Sequence, residues 1–279
     1  MENDEYKIMR DIEMSYWWFV GRRYLLDQLL AAISEKSGAR LRLLDIGCGT
    51  GGILALSASR VTAYGVDVSA AALNFSKARG LDRLVQCDIN QTLPFKNDTF
   101  SVVTCLDVLE HLAAEHDFLR ELGRICKPGG TAIFTIPAFD FLWSDHDTAV
   151  HHLRRYTRHT ALKRFEGKAW ELVKASYFNT VLFFPILAVR KFKNIIKKRQ
   201  APCSDFFIPL PRWGNGLLTA LFKKEVSCLR FLDFPFGVSL LLVFRRLTVR
   251  NRRSLAVRTP GRRNRVSRMR QTEMGKYSL

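Results

Sequence analysis

The chain has 279 residues, is 47% hydrophobic and carries a formal charge of +18. That length can bury one sizeable core and carry an appendage, yet the two most apolar runs, 181–189 and 238–244, fall far short of the ~20 residues that span a bilayer. The charge is uneven: residues 245–279 hold twelve Lys+Arg and one Glu, and residues 190–199 hold six Lys+Arg and no acid, so the remainder is close to neutral and a uniformly basic nucleic-acid face is not indicated.

The opening Met1-Glu2-Asn3-Asp4-Glu5 is acidic, with no basic segment ahead of an apolar one, so no secretory signal is expected. Residues 1–39 read as one or two helices before the first strand. Their notable part is Tyr16-Trp17-Trp18-Phe19-Val20-Gly21-Arg22-Arg23, whose aromatics suit a helix packed on a sheet.

The next stretch, Leu43-Leu44-Asp45-Ile46-Gly47-Cys48-Gly49-Thr50-Gly51-Gly52, is an apolar strand that meets an acid and then a glycine-rich turn. Such a turn lets backbone N–H groups approach a ligand with no Cβ in the way. Two patterns overlap: Gly47-x-Gly49-x-x-Gly52 fits a dinucleotide loop, and Asp45-x-Gly47-x-Gly49-x-Gly51 fits a loop for S-adenosylmethionine (SAM). A carboxylate just before the turn would repel a pyrophosphate but suits the cationic amino end of SAM.

Further acids follow in order. A second strand, 61–66, ends in Asp67-Val68-Ser69, where the acid can accept ribose hydroxyls and Ser69 reads as a helix N-cap. A third, 84–87, is followed by Asp88-Ile89, an acid for an adenine amino group beside an apolar side chain for the ring. A fourth, 100–105, runs into Leu106-Asp107-Val108-Leu109-Glu110-His111, and Lys127-Pro128-Gly129-Gly130 turns into a fifth at 131–137. Helical patterns at 51–60, 69–79 and 114–126 separate them. This alternation predicts an α/β fold with a parallel sheet covered by helices on both faces, and ligands in such sheets bind at the carboxyl ends of the strands.

The ordered set of glycine loop, successive acids and Pro-Gly-Gly turn resembles the class I SAM-dependent methyltransferases over roughly residues 40–180, with partial similarity to ubiquinone-type O-methyltransferases. The resemblance implies a Rossmann-like, seven-stranded, mostly parallel sheet with an antiparallel last strand inserted beside the fifth. Strands six and seven are then expected at 171–176 and 239–246. It implies S-adenosyl-L-methionine as cofactor. Asp45, Gly47, Gly49 and Gly51 would hold its methionine part, Asp67 and Val68 its ribose end, Asp88 and Ile89 its adenine, and Leu106 would line the methionine pocket. In related methyltransferases the N-terminal helix closes over SAM and substrate, so residues 1–39 are expected to form a lid.

The loop after the fifth strand holds the candidate chemistry. His146 stands between Asp145 and Asp147, followed by His151-His152, Arg154-Arg155 and Tyr156. Neighbouring acids would raise a histidine's pKa and suit His146 or His152 to take a proton. Arg155 could bind a carboxylate or phosphate on an acceptor. Asp107, Glu110 and His111, at i, i+3 and i+4, could share a helical face and a divalent ion. The alternative is a packing and hydrogen-bonding cluster, and no metal is expected.

The segment 177–237 is longer than a hairpin requires. Its apolar start, through Phe183-Phe184-Pro185, passes into the cations of 190–199. Two compatible readings are an interfacial helix on an anionic membrane and an insertion that walls a hydrophobic acceptor pocket. Residues 250–279 lack hydrophobic periodicity and read as a basic tail outside the fold. The six cysteines, at 48, 87, 105, 126, 203 and 228, form no Cys-x-x-Cys pair and read as reduced thiols. A cytoplasmic protein is expected, either soluble or peripheral on the membrane's inner face.

The expected function is methyl transfer to a small, hydrophobic acceptor, an O-methylation of a quinone-like, polyketide or glycan/lipid-linked hydroxyl. An RNA methyltransferase using the basic tail and a non-catalytic SAM-binding protein are the alternatives. Against the first, Leu106-Asp107-Val108-Leu109 lacks the Asn/Asp-Pro-Pro-aromatic signature of base amino-methylation. Against the second stands the intact set of loop and acids.

Overall fold

The computed structural model describes residues 3–167, 169–195 and 210–248. Seven strands form one sheet in the order β3-β2-β1-β4-β5-β7-β6. They are β1 (Leu41–Ile46), β2 (Val61–Asp67), β3 (Leu84–Gln86), β4 (Phe100–Leu106), β5 (Cys126–Pro137), β6 (Trp170–Phe178) and β7 (Ser239–Arg246). The pairs β1–β2, β2–β3, β1–β4 and β4–β5 are parallel, whereas β7 runs antiparallel to both β5 and β6. The strand order reverses between β1 and β4, which opens a crevice at their carboxyl ends. This is the expected Rossmann-like α/β sheet with its reversed strand beside the fifth.

Both faces of the central strands are apolar, as a sheet covered on both sides requires. On one face α5 (Glu115–Ile125) sets down Phe118, Leu119, Leu122 and Ile125, all buried at helical spacing, and α7 (Arg158–Lys163) adds Ala161. On the other face lie α2 (Trp17–Ser37), α3 (Gly52–Ser57) and α4 (Ala70–Ala78). Ser69 caps α4, accepting from Ala72 N at 3.2 Å. A shorter helix, α1 (Asn3–Ile12), precedes α2 and packs against α4.

Two boundaries differ from the sequence reading. Helix α3 is shorter than 51–60 because the chain must leave it to enter β2 at Val61. Strand β5 starts earlier than 131: Cys126 already pairs with Phe100, and the register then shifts so that Thr131 pairs with Val102. Gly129, at φ +77°, lies in the extra loop of chain that this shift absorbs.

The insertion between β6 and β7 contains α8 (Phe183–Ile195) and α9 (Arg212–Cys228). The sequence reading did not foresee α9, whose anchoring is tertiary. Its Phe222 is 3% exposed and fits against Gly21 of α2, where a Cβ would lie 2.0 Å from the ring. The same ring stacks near Trp18 and Phe178, with centroids 5.5 and 6.0 Å away. Asn215 Oδ1 accepts from Trp17 N at 2.8 Å, a cap for α2 supplied from far along the chain, and Glu225 accepts from the N–H of Thr180 and of Val181. The basic residues 250–279 lie outside the described residues.

This packing predicts the effect of Phe222→Ala. Emptying the ring's site should destabilise the protein by roughly 3–5 kcal/mol, the range for buried Phe→Ala. Urea unfolding measures it, and a loss under about 1 kcal/mol would show that α9 only rests on α2.

Candidate active site

A cavity of about 470 Å³ lies at the carboxyl ends of β1, β2, β4 and β5, a size suited to a cofactor and a small acceptor. Its floor is the turn after β1, where Gly47, Gly49 and Gly51 have φ of +71°, +54° and +78°, a region that favours glycine. A Cβ on Gly47 would stand 2.7 Å from Val108 Cγ2, and one on Gly49 would touch Met9 Cε at 3.4 Å. Gly51 turns the other way: its Cβ would meet Ser76 Oγ at 2.6 Å. Gly47 and Gly49 therefore line the cavity, and Gly51 instead packs the turn against α4.

Asp67, at the end of β2, is 7% exposed and faces the cavity. Its Oδ2 accepts from Gly49 N at 2.8 Å and its Oδ1 from Ser69 N at 2.9 Å. Each oxygen keeps a lone pair for a hydroxyl donor. Tyr6 of α1 lies close by, its phenol pushed up to about 12 by burial and by Asp67. Val68, Ile89 and Leu106 also line the cavity. Asp88 does not: its Oδ1 accepts from the backbone and side-chain amides of Asn90, both at 2.9 Å. These bonds hold its pKa below the usual range.

Asp45 lies beneath the floor rather than in the wall. It is 3% exposed, and Thr104 Oγ1 donates to its Oδ1 at 2.6 Å. Burial pushes its pKa up to about 7, against the Thr104 bond and the charge of Arg22. Asp45 is therefore not among the residues that line the cavity, although direct contact with a ligand was expected of it.

The N-terminal helices close over the same region. Glu13 accepts from Thr50 Oγ1 at 2.7 Å and pairs with Arg79, tying the end of α1 to the glycine turn. Arg22 of α2 bonds Asp107 Oδ2 at 2.9 Å, while Thr135 Oγ1 donates to Asp107 Oδ1 at 3.1 Å. Sequence reasoning assigned no role to Glu13 or Arg22, whose partners lie far along the chain. Trp17, Trp18 and Phe19 line the cavity too.

Asp107 has φ +57°, so it does not continue into the short turn Leu109–His111. The expected shared face of Asp107, Glu110 and His111 is consequently absent, since Arg22 holds Asp107. His152 takes that place: Glu110, His111 and His152 bring one ligand atom each within 4.8 Å of one another, a spacing a small divalent ion could use. Glu110 is wholly buried, and neither carboxyl oxygen has a hydrogen-bond partner. Burial first, and Asp107 second, push its pKa well above the carboxylate range. Burial and His152 push His111 down to about 4, leaving that imidazole neutral.

The loop after β5 folds so that Asp147 becomes its centre. Helix α6 (Asp145–Ala149) starts with a capping box in which Ser144 N donates to Asp147 Oδ2 at 2.9 Å. His152 Nδ1 stands 2.8 Å from Asp147 Oδ1. Arg155 clasps the same carboxylate with two bonds, Nε to Oδ1 at 2.8 Å and a terminal nitrogen to Oδ2 at 3.0 Å. Burial alone would raise the Asp147 pKa, but the His152 and Arg155 interactions outweigh it and hold the group far below its ordinary range. A carboxylate only accepts, so His152 Nδ1 carries a proton, and in the neutral ring Nε2 is then the acceptor. That nitrogen points along the cavity wall, 3.6 Å from Glu110 Oε1.

Three expectations are revised on this geometry. Arg155 borders the cavity, but its remaining terminal nitrogen donates to Ala138 O at 2.9 Å, so it supports Asp147 instead of anchoring an acidic acceptor. Tyr156 is 2% exposed and absent from the cavity; its hydroxyl donates to Glu115 of α5, and burial with that bond raises its pKa. It ties the loop to the sheet's helical layer. His146 lines the cavity, its ring 6.0 Å from that of His152, but the Asp147 carboxylate serves His152. The helix after the loop is capped by Thr157 and Thr160.

Sheet order, glycine turn and acid series together define a class I methyltransferase fold. Residues 44–134 match a family described as Methyltransferase domain. The chain is 35% identical over 115 residues to the ubiquinone biosynthesis O-methyltransferase of Klebsiella pneumoniae strain 342, covering 38% of this chain and 47% of that one. For the enzyme of the same name from Escherichia coli O6:H1 the figures are 31% over 135 residues, 43% and 56%. The chain thus spans about half the length of the curated relatives it matches. Among solved structures, the methyltransferase in a complex with the Haloferax volcanii Trm112 activator has a TM-score of 0.53 at 18% identity, over 86% of this chain and 94% of that one. The [4+2]-cyclase SpnF has a TM-score of 0.51 at 20% identity, over 80% and 81%. These likenesses concern the fold, which hosts more than one chemistry.

The buried acid beneath the turn yields a pH prediction. The folded form binds the Asp45 proton more tightly than the unfolded chain does. Its stabilising contribution is therefore complete below about pH 4 and lost as pH rises through about 7. Between about pH 5.5 and 8.5 the unmodified protein should lose roughly 2 kcal/mol relative to Asp45→Asn, at about 1.4 kcal/mol per unit of displacement. Parallel stability curves in urea titrations would refute it.

Proposed function

We propose that this protein transfers the methyl group of SAM to a hydroxyl on a small, largely apolar acceptor, with His152 as the base. One observation carries the reading: Asp147 fixes the His152 tautomer at 2.8 Å and leaves Nε2 as the neutral ring's acceptor in the cavity that also holds Gly47, Gly49 and Asp67. The residues fit the cofactor. Gly47 and Gly49 leave room where any Cβ would intrude, Asp67 offers acceptors for ribose hydroxyls, and Ile89 and Leu106 offer apolar walls.

When bound, the cofactor supplies a methyl group already activated on a sulfonium. The protein's task is then to orient the acceptor, exclude water and remove one proton. The aromatic side chains of α2 shield the cavity. His152 Nε2 takes the acceptor's hydroxyl proton, and Asp147, braced by Arg155, stabilises the imidazolium that results. Burial disfavours the charged forms of both Glu110 and His111, so this part of the wall suits an apolar ring better than an ionic one. The relatives named for ubiquinone biosynthesis favour a quinol-like hydroxyl within this class, beside polyketide and glycan- or lipid-linked ones.

The test is label transfer from methyl-labelled SAM to a panel of phenols, quinols and lipid-linked alcohols, in the protein as it stands and in His152→Ala. The substitution should lower turnover ~10²–10⁴-fold with little change in SAM affinity. The deficit should shrink as pH approaches the acceptor's own pKa, because hydroxide then replaces the base. Full turnover in His152→Ala, or a deficit that ignores pH, would overturn the assignment.

A further inference from the structure

Helix α8 has two faces with different neighbours. Phe183 is 6% exposed and packs with Leu142 and Val238 in a small apolar cluster, while Ile186 and Arg190 of the same helix border the cavity. These inward positions follow the spacing i, i+3, i+7. The outward side is apolar as well: Val181, just ahead of the helix, is 53% exposed, Phe184 63% and Val189 50%, with Pro185 and Ala188 exposed among them.

The exposed side chains are not scattered. Phe141, from the loop after β5, is 51% exposed and reaches the Phe183 ring at 6.2 Å. Phe184 lies 5.3 Å from Phe183 and 5.6 Å from Phe236, which precedes β7. Three separate segments thus converge on one aromatic patch, and such contiguous apolar surface marks an interaction site where single exposed residues do not. Lys191 stands exposed at the far end of the stripe, and the sequence continues with Lys193, Lys197, Lys198 and Arg199 and no acid before residue 200.

We infer that the outward face of α8, with Phe141, docks on an anionic lipid bilayer. The apolar stripe enters the interface and the following cations meet the headgroups, the arrangement by which amphipathic helices lie on membranes. Among the described residues no helix is long and apolar enough to cross a membrane, so the contact is with a surface. An anionic surface uses both the apolar stripe and the exposed cation Lys191 beside it. The same helix walls the cavity, so its docked side lies one helix width from the candidate active site.

The experiment is partition of the full chain onto vesicles of phosphatidylglycerol and phosphatidylcholine, about 1:2, against pure phosphatidylcholine, read by co-sedimentation at about 0.1 M salt. The protein should bind the anionic vesicles and prefer them. Phe184→Asp with Val189→Asp should weaken partition by at least about tenfold, since both side chains leave the interface. Lys191→Glu should weaken it several-fold, and less at high salt. All three positions are exposed, and circular dichroism and urea unfolding check that the variants keep their fold without reference to methyl transfer. Failure of the unmodified chain to bind anionic vesicles would overturn the inference. So would binding that the double substitution leaves intact, which would place it in the basic residues 250–279. A dimer that the double substitution dissociates, without change in vesicle binding, would assign the face to a second copy instead.

Discussion

Four carboxyl groups, those of Asp45, Asp67, Asp107 and Glu110, stand at the carboxyl edge of a sheet otherwise lined with apolar side chains. Burying charge is costly unless each group is paired, hydrogen-bonded or neutral. The structure answers differently for each. Asp67 takes two backbone N–H donors from the turn and the following helix. Asp107 takes Arg22 and Thr135. Asp45 has one hydroxyl donor and a raised pKa, and Glu110 has no donor and a pKa pushed well above the carboxylate range. Much of the architecture around the cavity follows from these needs. The glycine turn must bend sharply to aim Gly49 N at Asp67, and α2 must lie where Arg22 reaches Asp107.

That last contact makes the N-terminal helices part of the site. Arg22 joins α2 to the end of β4, and Glu13 joins the end of α1 to Thr50 and Arg79 beside the glycine turn. Helix α9 in turn fixes α2, through Phe222 against Gly21 and Asn215 at the α2 N-terminus. A chain of packing therefore runs from the insertion between β6 and β7, through the N-terminal helices, to the cavity. The loop after β5 uses the same logic. Arg155 and His152 share the Asp147 carboxylate, and Tyr156 closes on Glu115, so the loop's polar groups are satisfied among themselves and one imidazole nitrogen is left over.

Much of the cavity's floor was legible in the sequence because it is local. Gly47, Gly49, Asp67, Ile89 and Leu106 each sit at or just past a strand end, and the strand register carries them to one edge without help from elsewhere. Gly51 and Asp45 belong to the same motif, yet the turn's curvature sends one toward α4 and sinks the other beneath the floor. Asp88 sits at a strand end but spends its carboxylate on Asn90. The loop after β5 was legible only as a set of residue types. Which histidine an acid serves depends on the turn of α6: the sequence offered His146 and His152 alike, and in the fold it is His152 that meets Asp147. Arg155 and Tyr156 were misassigned for a related reason: a charged or phenolic side chain near a crevice is as often a brace as a ligand group, and burial decides between them. Helix α9 was invisible because its stabilising partners lie some two hundred residues away.

The central claim is that this edge of the sheet is built for SAM and not for a dinucleotide. Isothermal titration calorimetry of the full chain with SAM, its demethylated product and NAD, repeated on Asp67→Ala, tests it most directly. The account predicts saturable binding of SAM and its product, no binding of NAD, and SAM binding weakened by the loss of the Asp67 carboxylate. Binding of NAD without SAM, or SAM affinity indifferent to Asp67, would contradict it.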